Sequence, residues 1–112
     1  MDMQATAGDG FTTFAVTGRL DATTAPAAEA TLAGAIDAGA SRLVLNLARL
    51  EYVSSAGLRV LLAAAKKLSH RGGKLVLCEM PPAVRELFEI SGLLTVLPVG
   101  ATEADAQALV KA

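Results

Sequence analysis

A nearly continuous apolar run, followed closely by an amphipathic segment, most constrains the fold of this chain. Leu43–Leu47 has Asn46 as its only polar member, which is typical of a strand covered on both faces. After two serines, apolar residues recur at positions 58, 61, 62, 65 and 68, the i, i+3, i+4, i+7 spacing of a helix that packs along one side. A buried strand leading into a packed helix predicts an α/β protein.

The flanking segments also alternate between strand and helix patterns. Weak alternation at 3–7, the turn Gly8-Asp9-Gly10 and a β-branched and aromatic stretch at 11–17, stopped at Gly18, predict a hairpin. Residues that can cap a first helix follow, namely Asp21, Thr23 and Thr24. The further predicted elements are a helix over 26–38, a strand over 75–78, a helix over 82–90, a short strand within 94–99 and a last helix capped by Thr102. We expect one α/β domain over residues 1–112, with a mixed, largely parallel sheet of about four or five strands and about four helices.

Charge and composition argue against several functional classes. The net charge is −1 and no basic cluster exceeds two residues, so nucleic-acid binding is not expected. No apolar run approaches the ~20 residues that span a bilayer, and the start of the chain lacks a signal-peptide pattern. These features predict a cytoplasmic protein without membrane insertion. The single cysteine, Cys78, lies in an apolar strand and is expected to be a core residue, and no metal-ligand spacing or cofactor motif is present.

The sequence offers no catalytic constellation. The only histidine, His70, lies about 22 Å along the same predicted helix from Ser55, too far to serve as its base. Gly73-Lys74 lacks the remaining residues of a phosphate loop, and the acidic residues are scattered. We therefore expect a binding protein and not an enzyme.

Ser54 and Ser55 lie where the buried strand passes into the amphipathic helix. One hydroxyl is enough to cap a helix, yet two are present, and Ala56 and Gly57 have no bulk to shield them. Gly57 also costs about 1 kcal/mol of helix propensity relative to alanine, which indicates that another requirement retains it. An uncovered helix start with a free hydroxyl is suited to contact by another protein.

Three segments in the same order resemble the STAS domain, specifically the bacterial anti-sigma factor antagonists. They are LNLARLEYVSSAGLRVLLAAAKKL (45–68), GRLDATTAP (18–26) and LFEISGL (87–93), and the resemblance covers almost the whole chain. It implies a transcription regulator that binds a serine-kinase anti-sigma factor and so releases a sigma factor. Phosphorylation of a serine at the start of the second helix would dissociate the complex, and a serine phosphatase would restore binding.

The family motif, Asp-Ser-Ser/Thr-Gly, has its phosphate acceptor directly before the glycine, where this chain has Ala56. We therefore predict Ser55 as the acceptor and Ser54 as the helix cap, with Ser54 as the alternative acceptor. Two other interpretations stay open, a constitutive unphosphorylated binder and a STAS interaction subunit of a lipid-transport or other non-transcriptional assembly.

The predicted partner surface combines the start of the second helix with the loop before the first helix. The side chain of Leu58 is expected either in the core or in the interface, and the protein is expected to be a monomer or weak dimer. The residues predicted to contact the partner are Asp21, Ala22, Thr23, Thr24, Ser54, Ser55, Ala56, Gly57, Leu58 and Arg59.

Overall fold

The computed structural model describes all of residues 1–112 as a five-stranded sheet with four α-helices. The elements are β1 (Asp2–Ala7), β2 (Thr12–Leu20), α1 (Ala25–Asp37), β3 (Arg42–Val53), α2 (Ser55–Ser69), β4 (Lys74–Cys78), α3 (Pro82–Ser91), a one-turn 3₁₀ helix (Leu93–Thr95), β5 (Val99–Gly100) and α4 (Glu103–Lys111). The sheet order is β1-β2-β3-β4-β5, and only the β1–β2 pair is antiparallel. The prediction of an α/β fold with a mixed, largely parallel sheet is therefore confirmed.

The central strand β3 is apolar because its side chains enter two separate cores. Leu43, Leu45 and Leu47 join a cluster with the buried residues of α1, α2 and α3 on one face of the sheet. Val44 lies in a smaller cluster on the opposite face, where α4 packs. Successive strand residues point to opposite faces, so a strand covered on both faces needs apolar residues at nearly every position.

The hairpin strand was predicted to stop at Gly18, and this was wrong. Gly18 has φ +98° and lies where the β2–β3 register shifts, so it forms an irregularity within the strand, and β2 continues to Leu20. The partner strand β3 likewise extends beyond Leu47 to Val53. The predicted strand within 94–99 is reduced to β5, because residues 93–95 form the 3₁₀ turn that follows the left-handed Gly92.

Polar contacts from the middle of β3 and from the residue after β4 hold α4 against the sheet. The Glu79 carboxylate accepts a hydrogen bond from the Glu103 amide at 2.8 Å, and the Asn46 side-chain amide donates to the Glu103 carboxylate at 3.1 Å. Thr102 caps α4 as predicted, because its hydroxyl accepts from the Asp105 amide at 3.1 Å. Cys78 is fully buried beneath this network, which confirms its predicted core position. Burial, together with the nearby Glu103 and Glu79 carboxylates, raises the pKa of its thiol to about 12.

The carboxyl ends of β2 and β3 lie side by side and position the candidate site. Leu20 pairs with Val53 in the parallel register, and the Leu20 carbonyl accepts a hydrogen bond from the Ser54 amide at 2.9 Å. This bond joins the end of β2 to the residue that begins α2. The loop that follows Leu20 therefore lies beside the two serines.

None of the helices has the length and apolar character needed to cross a membrane.

Candidate functional site

Ser54 is the N-cap of α2. Its backbone is extended, with φ −92° and ψ 173°, and its hydroxyl accepts a hydrogen bond from the Gly57 amide at 3.3 Å. This bond satisfies one of the amides that a helix start leaves without an intrahelical partner. The predicted capping role of Ser54 is confirmed, and its half-buried hydroxyl is already engaged within the protein.

Ser55 is the first residue of α2, and the surroundings of its hydroxyl differ from those of the Ser54 hydroxyl. Its side chain is exposed, and none of the side-chain hydrogen bonds of the protein involves its hydroxyl. The first turn of α2 also contains no acidic residue. This hydroxyl lies at the positive end of the helix dipole, makes no internal hydrogen bond and has no carboxylate in the same turn. A negative charge added to it would therefore be stabilised by the helix start.

Gly57 is explained by packing within the protein and not by an approaching partner. A Cβ at this position would lie 2.8 Å from the Leu20 carbonyl oxygen, 2.7 Å from Leu20 Cγ and 3.0 Å from a Val53 methyl. Only glycine permits so close an approach of α2 to the strand ends. The prediction that another requirement retains Gly57 is therefore confirmed, and the requirement is close packing within the protein.

Leu58, for which core packing and partner contact were both open, lies in the main core. Gly57 is also buried, so both residues shape the helix start from within. The outward side of the predicted surface consists of exposed residues on both segments, namely Ala22, Thr23, Ser55 and Arg59, with Asp21, Thr24, Ser54 and Ala56 half-buried between them.

The loop over residues 21–24 is held by the Asp21 carboxylate. One of its oxygens accepts from the Thr23 hydroxyl at 2.7 Å, the Thr23 amide at 3.0 Å and the Thr24 amide at 3.3 Å. The hydroxyl bond from Thr23, followed by the Thr23 amide bond, holds the pKa of the Asp21 carboxyl below its ordinary value of 3.8. Thr24 is the N-cap of α1 by position, but its hydroxyl donates to the Arg19 carbonyl at 2.9 Å and does not cap the helix. None of the three capping candidates therefore caps α1 through its side chain, and the Asp21 carboxylate instead orders the turn before the helix.

An aromatic and cationic pair borders this loop, and it was missed at the level of sequence. The Arg19 guanidinium lies 4.5 Å from the centroid of the Tyr52 ring, and Arg19 Nε lies 3.8 Å from an Asp21 carboxylate oxygen. Such a stacked cation contributes about 0.5–1 kcal/mol at an exposed site. The two residues are paired neighbours on β2 and β3. Only the strand register, which follows the shift at Gly18, brings them together, so no local signal could have found the pair.

A shallow groove leads from the serines along the α1–α2 seam. It contains about 690 Å³ of open space, and small side chains on both helices leave it unfilled. Arg59 lies on its α2 side and Glu29 on its α1 side, and the two form no ion pair within 4 Å. The lining residues are Ala22, Ala25, Pro26, Glu29, Ala56, Arg59, Val60 and Ala63. Ala56, at the usual acceptor position of the motif, is thus part of the groove wall.

Neither a cluster of metal-ligating side chains nor the only histidine lies beside the two serines. No group of three or more His, Cys, Asp or Glu side chains is placed to hold a metal ion anywhere in the structure. His70 is exposed at the far end of α2 and does not approach the serines. The two segments together form an exposed surface on which the Ser55 hydroxyl makes no internal hydrogen bond.

Comparison with known proteins gives a consistent picture. A family model described as the STAS domain matches residues 2–106. The candidate anti-sigma factor antagonist BtrV of Bordetella bronchiseptica is 48% identical over 103 residues, which cover 92% of this chain and 89% of that relative. The crystal structure of an anti-sigma factor antagonist from Mycobacterium paratuberculosis is 28% identical, with a TM-score of 0.89 over 99% of this chain and 94% of that one. The phosphorylated form of the Bacillus cell fate determinant SpoIIAA is 26% identical, with a TM-score of 0.73 over 97% of this chain and 99% of that one.

Proposed function

Because the chain belongs to the STAS domain family, we propose that it is an anti-sigma factor antagonist of a partner-switching pathway. In its unmodified form it binds a serine-kinase anti-sigma factor in the cytoplasm. Phosphorylation of Ser55 ends this binding, and a serine phosphatase reverses the modification. The relatives named as anti-sigma factor antagonists support the general role, and the geometry of the two serines supports the choice of Ser55.

The division of tasks between the two serines is the observation that carries the proposal. The Ser54 hydroxyl is half-buried and accepts from the Gly57 amide, whereas the Ser55 hydroxyl is exposed and unbonded. A kinase needs an accessible hydroxyl. The Ser54 oxygen is already engaged in the cap, whereas modification of Ser55 disturbs no internal hydrogen bond.

A phosphate on Ser55 affects the fold and the interface in opposite ways. It adds about −1.5 to −2 charges at neutral pH. The helix start favours this charge, because free amides and the helix dipole lie beneath it and the first turn has no acidic residue. A partner fitted against Ala22 and Ser55 would meet the added bulk and charge directly. The protein therefore stays folded while its affinity for the partner falls.

A constitutive, unphosphorylated binder is the second candidate, and one observation favours it. Ala56 replaces the hydroxyl of the usual acceptor position and lines the groove instead. In that case neither serine would accept phosphate, and the surface around them would serve only for binding.

Two linked experiments test the proposal. A pull-down from lysate with wild type and Ser55→Asp isolates the partner, and the purified kinase is then incubated with ATP and the wild-type, Ser54→Ala and Ser55→Ala proteins. We expect one phosphate in wild type and in Ser54→Ala, mapped to Ser55 by mass spectrometry, and none in Ser55→Ala. An unmodified peptide over residues 54 and 55 would refute the switch and leave the constitutive binder.

The binding consequence is measured separately. Ser55→Asp should weaken kinase binding at least about tenfold, equivalent to about 1.4 kcal/mol, without lowering Tm by more than a few degrees. Ser41→Asp is the matched control, because Ser41 is equally exposed but lies before β3, at the opposite end of that strand from Ser55. It adds the same charge and should leave binding unchanged.

A further inference from the structure

Arg59 is a cation without a partner at the edge of the candidate site. Its side chain is exposed, and it lies on the α2 side of the groove. The four ion pairs of the protein use other cations, namely Arg19, Lys67, Arg71 and Arg85. The guanidinium of Arg59 is therefore free to bind an anion that appears nearby.

Ser55 lies one helical turn before Arg59 on the same helix. Residues four apart are neighbours on a helix surface, about 5–6 Å between Cβ atoms, and an anion placed N-terminal to the cation is the favourable order. The planar guanidinium also presents paired donors that match the oxygens of a phosphate. The other charges around this turn are Glu29 across the groove and Asp21 with Arg19 on the neighbouring loop, and none of them pairs with Arg59.

We propose that Arg59 binds the phosphate of phosphorylated Ser55 within the same helix. This inference rests on the proposed function, because it begins with phosphate on Ser55. Before modification, the free guanidinium is available to an acidic group of the partner. After modification, it is occupied by the phosphate of its own chain, so a single event both obstructs the surface and withdraws a cation from it.

The test measures the second pKa of the phosphate by phosphorus-31 NMR. Phosphoserine is incorporated at position 55 during translation, so no kinase is required. A nearby cation favours the dianion, and an exposed pair of about 0.2–1 kcal/mol corresponds to a pKa about 0.2 to 0.7 pH units lower with Arg59 than with Arg59→Gln. The helix dipole acts equally in both proteins, so the difference isolates the guanidinium.

Two further variants separate this contact from general charge effects. Arg59→Lys keeps the charge but not the fork and should give an intermediate pKa. Lys66→Gln removes an exposed cation from the same helix. Because Lys66 lies about 16 Å from Ser55 along the helix axis, this variant should leave the phosphate pKa at its wild-type value. Raising the salt concentration should shrink the Arg59 effect.

A phosphate pKa that is the same in wild type and Arg59→Gln overturns the proposal, as does an equal shift in Lys66→Gln. Failure of the kinase to modify Ser55 would refute the proposed function instead. The NMR measurement would still report whether Arg59 and a phosphate at this position interact, so the two failures are distinguishable.

Discussion

Replacing Gly57 with alanine tests whether close packing sets the position of the α2 start. The added methyl would lie 2.8 Å from the Leu20 carbonyl oxygen and 2.7 Å from Leu20 Cγ. Neither atom can move freely, because the carbonyl accepts the Ser54 amide and the Leu20 side chain is buried. The methyl must therefore displace the helix start from the strand ends.

The magnitude follows from three opposing effects. Overpacking of this kind costs about 2–3 kcal/mol, and weakening the bond between the Ser54 amide and the Leu20 carbonyl costs about 1 kcal/mol. Alanine returns about 1 kcal/mol through its helix propensity. We expect a net loss of about 2–3 kcal/mol in the free energy of unfolding, which lowers Tm by roughly 6 to 15 °C in a domain of this size.

Gly34→Ala is the matched control. Gly34 also lies within a helix, but it is exposed and a Cβ there would have nothing within 4 Å. Without a clash only the propensity remains, so this variant should gain about 0.5–1 kcal/mol. Both proteins are compared with wild type by thermal and urea denaturation followed by circular dichroism. If Gly57→Ala is as stable as Gly34→Ala, the packing argument is refuted.

Three further predictions concern single side chains. Ser54→Ala should lose about 1 kcal/mol of unfolding free energy with its cap, whereas Ser55→Ala should stay within about 0.5 kcal/mol of wild type; urea denaturation compares the two. Asp21→Asn should be less stable than wild type at pH 7. Because the folded-state pKa of Asp21 is depressed below 3.8, this difference should be constant above that value and should shrink as the pH falls from 3.8 through the lower folded-state pKa; a difference that does not change with pH would contradict the assignment. Cys78 should resist a disulfide reagent at pH 8, since its thiol pKa is raised to about 12, and should react at once in denaturant.

Local patterns were sufficient to predict the order and type of most elements. The nearly continuous apolar run predicted β3, and the leucine spacing predicted α2, because each pattern reports which faces of one segment are covered. The end of β2 was not predictable in this way. A glycine with φ +98° can end a strand or bend it, and the pairing of Leu20 with Val53 decides between the two.

The candidate site was predicted in outline for a similar reason. The Ser54 cap is a contact between residues three apart, so the sequence contains it. The clash that requires glycine at 57 and the stack of Arg19 on Tyr52 both join β2 to the β3–α2 segment across more than thirty positions. Such contacts depend on strand register, and no spacing rule in a single sequence specifies them.

The bond between the Ser54 amide and the Leu20 carbonyl, together with the Asp21 turn, has a consequence for the rates and affinity of association. Both segments of the surface are held in shape before a partner arrives. Binding therefore avoids the entropy cost of ordering them, which is about 0.5–1.5 kcal/mol for each side chain immobilised. A rigid surface can bind with few direct contacts and without a slow rearrangement. A partner that binds such a surface through few contacts gains only a modest binding free energy, which the charge and bulk of one phosphate group are large enough to cancel.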